Sequence, residues 1–352
     1  MLIRKILFTS CMILSLIVMG CETKPNEETV NTQIQPKSQS YFIYDTLVTV
    51  RVYDNQVTSQ HFAELDERMK EIEGKLSRTL NTSELYKVNE NAGISPVVVS
   101  DETYKVVEKA MKYAEASNGK FNPAIGPLVS LWNIGHENAH VPTENELAKT
   151  MPLINYRDVE LNDEQKSIYL KKAGMAIDLG GIGKGYAADQ IAEYLVANEL
   201  NSAIIDLGGN IFALGKKPDG SQWTIGIQDP EVSRGNQLGK LKVENKTIVT
   251  SGVYERYFVE EGKHYHHIFD PSTGFPADNG LVSVSIITDL SADADALSTT
   301  GFVLGLKEGL AFMEKQPNVE AIFITKDKKV YITPGLEGKW ELTNDLYEMA
   351  DI

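Results

Sequence analysis

The sequence predicts an α+β fold, a mixed arrangement of strands and helices. Three observations lead there. Segments with strand period and segments with helix period both recur along the chain. They come in irregular order, without the sustained strand–helix–strand rhythm of a doubly wound sheet. No composition break interrupts residues 41–352, which read as one folded unit of one lobe or two.

The N-terminal end is organised differently. Arg4 and Lys5 precede a largely apolar run from Ile6 to Val18, too short for a membrane span of about 20 apolar residues. Residues 1–20 therefore read as a signal peptide. Small Gly20 stands just before Cys21, as at a bacterial lipoprotein cleavage site, so Cys21 is the expected lipidation point and the mature chain is expected to be anchored to the cell membrane, outside the cytoplasm. Cys11 and Cys21 are the two cysteines of the chain, and loss of Cys11 leaves no partner for an internal disulfide. Residues 21–40 are polar, contain Pro25 and Pro36, and read as a flexible tether, with compact structure expected from Tyr41. The formal net charge is −15 and no basic cluster follows Lys5, so nucleic acid is not an expected partner.

Val48, Val50 and Val52 alternate with polar residues and predict one strand over Tyr41–Tyr53. Phe62, Leu65, Met69, Ile72 and Leu76 lie on one face of a helix over His61–Leu76. A second helix is expected over Asp101–Ser117, capped by Ser100 or Asp101. Ser167–Leu179 reads as a hairpin turning near Lys172-Ala173-Gly174, and Tyr186–Leu200 as a third helix. Ala203–Leu207, Ile211–Leu214, Trp223–Ile227, Thr247–Thr250, Tyr254–Val259 and Leu281–Thr288 read as strands. Helices are expected over Ser291–Leu304 and Lys307–Lys315, then a final hairpin of Ala321–Thr325 and Val330–Thr333.

Several segments carry chemistry. Asp178-Leu-Gly-Gly-Ile-Gly-Lys-Gly185 stands between a predicted strand and a helix. Its glycines let backbone approach a ligand, the helix offers N–H groups and a positive dipole end to phosphate, and Lys184 adds a cation. It is neither a Walker loop nor a Rossmann fingerprint; a tight turn is the plainer alternative. Asp206-Leu-Gly-Gly-Asn210 repeats part of the wording, either as a second wall of the same cleft or as a hairpin turn. Asp295 and Thr299, at i and i+4, share a helix face and form a hard-oxygen half-site suited to Mg²⁺; stabilising the helix dipole is the alternative for Asp293 and Asp295. In Tyr265-His-His-Ile-Phe-Asp270, strand alternation separates His264 and His266 from His267, so the run cannot close around one metal. Of these, His267 is the candidate acid or base, and Ala variants of His264 and His266 are expected to behave nearly as wild type. Ser251 precedes Gly252 at a strand end without a nucleophile elbow, which gives no support to a Ser hydrolase. Phe121 and Trp132, in Gly119–Trp132, are placed to flank a flat ring or to pack in the core.

Taken in order, GKFNPAIGPLVSLW, DLGGIGKGYAAD, DLGGNI, TSGVYERYF, HHIFDPSTG and ADALSTTGFVLG resemble the ApbE family, the FAD:protein FMN transferases, from Tyr41 to about Thr333. The resemblance implies a T-fold-like core and a cleft for FAD and Mg²⁺. It implies transfer of FMN from FAD to a Thr or Ser hydroxyl of an exported acceptor protein, as a phosphoester, with release of AMP. By position it implies that Lys120, Phe121, Asn122, Asp178 and Lys184 contact FAD, that the Gly181 carbonyl, Asp295 and Thr299 bind the metal, and that His267 and Ser251 lie near the phosphates. Tyr44-Asp45-Thr46 departs from the Met-Gly-Thr common in the family, and Thr79 stands where an aromatic is usual. A Mg²⁺-dependent FAD pyrophosphatase and a non-catalytic flavin-binding lipoprotein are the alternatives.

Overall fold

The computed structural model describes residues 35–232 and 235–351. The expected signal peptide, Cys21 and most of the tether lie outside the described residues.

Among the described residues the first strand begins at Lys37, earlier than Tyr41, and the first expected strand is a hairpin. Strands β1 (Lys37–Ile43) and β2 (Thr46–Val52) pair antiparallel, with Ile43 opposite Thr46. Tyr44 and Asp45 make the turn with φ of 57° and 54°. Two successive left-handed residues suit the right-handed twist of a hairpin, but neither is Gly, so the turn left no sequence signal. Helix α1 (Ser59–Leu76) buries the five apolar residues of its predicted face. Helix α2 (Glu84–Glu90) and strand β3 (Val97–Val98) follow, then α3 (Asp101–Ala116), whose cap is Ser100 accepting from Thr103 N–H. Helices α4 (Gly126–Trp132) and α5 (Glu144–Thr150) had no clear periodic signal over seven residues each.

Strands β4 (Val159–Asn162) and β5 (Ser167–Leu170) pair with each other, and β5 also pairs with β3. The expected hairpin around Lys172-Ala173-Gly174 is therefore corrected. Strand β5 turns back on the strand before it, and residues 171–182 carry no strand. Helix α6 (Gly183–Ala197) starts three residues before Tyr186 and takes Lys184 into its first turn. Strands β6 (Ala203–Leu207) and β7 (Asn210–Leu214) flank a turn made by Gly208 and Gly209, both at positive φ, so the second DLGG is a hairpin turn. Next come β8 (Trp223–Gln228), β9 (Gln237–Val243, not foreseen because lysines occupy its outer positions), β10 (Lys246–Gly252), β11 (Tyr257–Glu260) and β12 (Lys263–His266). Tyr254–Arg256 turns into β11 rather than extending it. The chain continues through β13 (Phe269–Asp270), β14 (Phe275–Pro276), β15 (Leu281–Thr288), α7 (Ser291–Leu304), α8 (Leu306–Met313), β16 (Glu320–Thr325), β17 (Lys329–Ile332), β18 (Trp340–Leu342) and β19 (Glu348–Met349).

The central sheet has nine strands in the order β1-β2-β6-β7-β10-β15-β16-β17-β19, antiparallel except for the last pair. Its middle is buried on both faces. Val249, Val284, Ile286, Ala321 and Phe323 pack with α7 and α8, while Ile248, Ile287, Ile322 and Ile324 pack with the small sheet β8-β9-β18. The period-2 alternation of strands divides these residues between the two layers. Mixed helices and antiparallel strands make this an α+β fold, as the sequence predicts.

The fold also decides the roles of His264 and His266. His264 is exposed and stacks on Tyr257. His266 is buried, with Nε2 3.1 Å from the Ala277 carbonyl and Nδ1 accepting from Ile268 N–H. Those partners require the neutral Nε2–H tautomer. Burial accordingly pushes its pKa down to about 4. His266→Ala, expected from its strand face to leave turnover nearly as in wild type, should instead cost stability: loss of a buried, satisfied ring is worth about 2–3 kcal/mol. Because the folded pKa lies below the unfolded one, the contribution is full above pH 6.5 and is lost as pH falls through about 4, by about 3 kcal/mol. Burial raises Asp189 to about 6, which acts in the opposite sense. The check is the difference in chemical-denaturation stability between wild type and His266→Gln across pH 7 to 4. The gap should narrow on acidification, and a constant gap would refute the assignment.

Candidate active site

Two helices meet at the proposed metal position. Asp295 and Thr299 lie one turn apart on α7. Asp295 is 5% exposed, and its Oδ2 accepts from Gly185 N–H at the start of α6, 3.0 Å away. One helix-end N–H expected to be free for phosphate is thus held by Asp295. Burial raises the Asp295 pKa, opposed by the Lys184 charge, the Gly185 N–H and the Asn210 amide. Asn210 Nδ2 is buried without a properly aligned partner, although the amide is near enough to act on Asp295. A Cβ placed on Gly181 would lie 3.4 Å from Thr299 Oγ1 and 3.1 Å from the Phe121 ring. Gly181 thus leaves a small cradle between a hydroxyl and an aromatic wall. Ser251, on β10, completes the polar group, 2.8 Å from Ser298 Oγ and 3.4 Å from Thr299 Oγ1.

Among the described residues, no three His, Cys, Asp or Glu side chains converge on a metal position. The donors present are one carboxylate, hydroxyls and the backbone of Gly181. This oxygen set fits Mg²⁺, which keeps waters and takes further oxygens from substrate phosphates, and does not fit zinc.

His267 leaves β12 and turns back to Arg256. Its Nδ1 is 3.1 Å from the Arg256 carbonyl, and its backbone N–H donates to the same oxygen at 3.2 Å. A carbonyl can only accept, so Nδ1 carries the proton and Nε2 holds a free lone pair. The ring keeps some open surface, yet protein surrounds it on most sides. That burial pushes its pKa down to about 4; the bond to Arg256 opposes the shift, and the charges of Lys184 and Arg256 add to it. Lys184 acts electrostatically on both Asp295 and His267 and makes no ion pair among the described residues.

The remaining predicted residues are each held by partners within the protein. Lys120 Nζ lies 3.3 Å from Asp270 Oδ1, joining the GKFN and FDPSTG segments. Asp178 accepts from Arg78 Nε at 2.8 Å and from Gly180 N–H at 2.7 Å. Asn122 is committed to the backbone: its Oδ1 accepts from Ala124 N–H and its Nδ2 donates to the Ile154 carbonyl. Both ends of its amide are taken, so the side chain shapes the Pro123 turn. Trp132 is fully buried among Phe258, Tyr265, Phe269 and Phe275, and donates to the Gly274 carbonyl. Phe121 belongs to a different core and packs edge-on to Tyr113. Of the two readings for this pair, packing in the core is the one the structure bears out.

The order of these segments along the chain agrees with comparison to known proteins. The ApbE family model matches residues 44–323. The chain belongs to the ApbE family. It is 40% identical over 320 residues to the FAD:protein FMN transferase of Treponema pallidum (strain Nichols), covering 86% of this chain and 88% of that one. It is 34% identical to the FAD:protein FMN transferase of Klebsiella pneumoniae (strain 342), covering 87% and 93%. Among solved structures, the ApbE protein from Thermotoga maritima superposes with a TM-score of 0.80 at 32% identity, over 87% of this chain and 99% of that one. The flavin transferase ApbE from Vibrio cholerae does so with a TM-score of 0.77 at 26% identity, over 86% and 99%.

Within this ApbE fold, sequence reasoning missed Arg78, Asn210 and Arg256. Arg78 reaches Asp178 across 100 residues of sequence and carries no local signal. Asn210 closes the second DLGG segment, where a polar residue after two glycines has the pattern of a turn. Arg256 contributes through its carbonyl, which no side-chain pattern reveals.

Proposed function

We propose that this chain transfers FMN from FAD to a Thr or Ser hydroxyl of an exported acceptor protein, in a Mg²⁺-dependent reaction that releases AMP. The observation that carries the reading is the convergence of Asp295, Thr299 and Gly181 beside Lys184 and a neutral His267. Phosphoryl transfer depends on positioning and charge neutralisation more than on covalent help. The acceptor hydroxyl attacks the FMN-side phosphorus, a new P–O bond forms, and the bond to the AMP phosphate breaks. His267 Nε2 accepts the hydroxyl proton. Lys184 neutralises the diphosphate. Asp295, Thr299 and the Gly181 carbonyl would hold Mg²⁺, which when bound screens the phosphate charge. Lys120 and Asp178 border the FAD cleft.

The test is incubation with FAD, Mg²⁺ and a Thr-containing acceptor, followed by AMP quantification and in-gel flavin fluorescence after denaturation. AMP with labelled acceptor is expected. AMP without label would mean hydrolysis of FAD, and neither product would mean a flavin-binding protein without this activity.

The reading includes anchoring at Cys21. Cys21→Ala is expected to leave the protein unprocessed or to move it from the membrane fraction to the soluble one. Unchanged processing and fractionation would remove the anchor from the proposal.

A further inference from the structure

Helix α7 carries the two side chains of the proposed metal site, and its first turn is buried. Ser291, Ala292 and Ala294 have almost no exposed surface, and the residue before the helix, Leu290, offers no side-chain cap. Buried helix N-termini need partners for their free N–H groups. They find them on α6. Asp189 is 7% exposed; its Oδ1 accepts from Ser291 N–H at 2.6 Å and its Oδ2 from Ala292 N–H at 2.9 Å. One turn earlier on α6, Gly185 donates to Asp295. A Cβ on Gly185 would lie 2.2 Å from the Ser291 carbonyl oxygen, so the helices touch backbone to backbone there.

We propose that Asp189 is a positioning residue that sets the register of α7 against α6, and thereby the spacing of Asp295 and Thr299 from Gly181. This rests on the reading of those three as a metal site. Gly185 and Asp189 are i and i+4 on α6, so both grip α7 from one face. Gly181 lies just before α6, so the chain that grips α7 also supplies the third oxygen. Sliding or tilting α7 by a fraction of an ångström alters all three donor positions together, and Mg²⁺ tolerates little departure from octahedral geometry. A two-oxygen carboxylate holds both N–H groups and so fixes the helix axially. An amide in its place keeps one acceptor and turns a donor towards the other N–H. The buried carboxylate persists despite the cost of desolvation, which raises its pKa to about 6.

The test measures metal binding apart from catalysis. Mn²⁺ is titrated into wild type, Asp189→Asn, Gly185→Ala and Asp295→Ala, with free ion read by its EPR signal. FAD affinity is measured without metal, and Tm by calorimetry. Asp189→Asn is expected to raise the Kd for Mn²⁺ about 10- to 100-fold, the range seen when groups supporting metal ligands are removed. Metal-free FAD affinity should be unchanged, and AMP release should recover largely at saturating Mn²⁺. Gly185→Ala pushes on the Ser291 carbonyl without touching Asp189 and should weaken Mn²⁺ binding by a similar factor; it tests the α6–α7 register itself, and Asp189→Glu, which keeps a carboxylate, stands in for Asp189→Asn if that variant does not fold. Mn²⁺ binding within twofold of wild type in both folded variants, with Asp295→Ala impaired, would overturn the role of Asp189 alone. If Asp295→Ala also bound Mn²⁺ normally, the metal reading itself would fall.

Discussion

Asp295→Ala is expected to lower AMP release from FAD by about 10²–10³-fold at low Mg²⁺, the scale on which removal of a dedicated charge-stabilising group acts. Asp295 is the one carboxylate among the donors that converge beside Gly181. Its burial makes the charge costly to hold without a partner, and burial raises its pKa. Lys184, the Gly185 N–H and the nearby Asn210 amide oppose that cost and keep the oxygens available to a cation. Removing the carboxylate leaves only neutral oxygens, which bind a divalent ion weakly. High Mg²⁺ should restore part of the activity, and Thr299→Val, which deletes a neutral donor, should lose less. The measurement is initial AMP release across a Mg²⁺ titration, with folding checked by Tm. Full activity of Asp295→Ala at low Mg²⁺ would sink the metal assignment.

His267→Ala is expected to slow single-turnover AMP release by about 10²–10⁴-fold, the usual worth of a positioned general base, while FAD affinity changes little. The Arg256 carbonyl fixes the tautomer and leaves the Nε2 lone pair free. Burial and two neighbouring cations hold its pKa near 4, so the ring is neutral at physiological pH. Such a base is weak until the FAD diphosphate offsets Lys184 and Arg256, which raises its proton affinity in the complex. In a loose transition state, leaving-group departure runs ahead of attack, which favours the lower end of the range. His264→Ala, on an exposed strand face, should match wild type, and His266→Ala should lose stability rather than turnover. If His267→Ala lost FAD binding but kept its turnover at saturation, the residue would serve binding and the base would lie elsewhere.

The sequence by itself determined what depends on neighbours a few positions apart. The buried face of α1, the cap of α3, the bounds of α7 and the shared face of Asp295 and Thr299 all follow from spacings of three or four residues. The resemblance to the ApbE family likewise came from ordered local wording. Tertiary structure decided everything that joins distant segments. Strand β5 could not be paired from sequence, because its partners compete and the losing turn contains a Gly while the turn used, residues 163–166, has none. Trp132 and Phe121, close in sequence, went to separate cores. The Gly185–Asp295 hydrogen bond spans 110 residues, the Asp189 contacts to α7 span 102 and 103, and the Lys120–Asp270 pair spans 150. The physical reason is that a side chain's local pattern states which face it occupies, whereas its partner depends on which face of another element the packed core leaves opposite it.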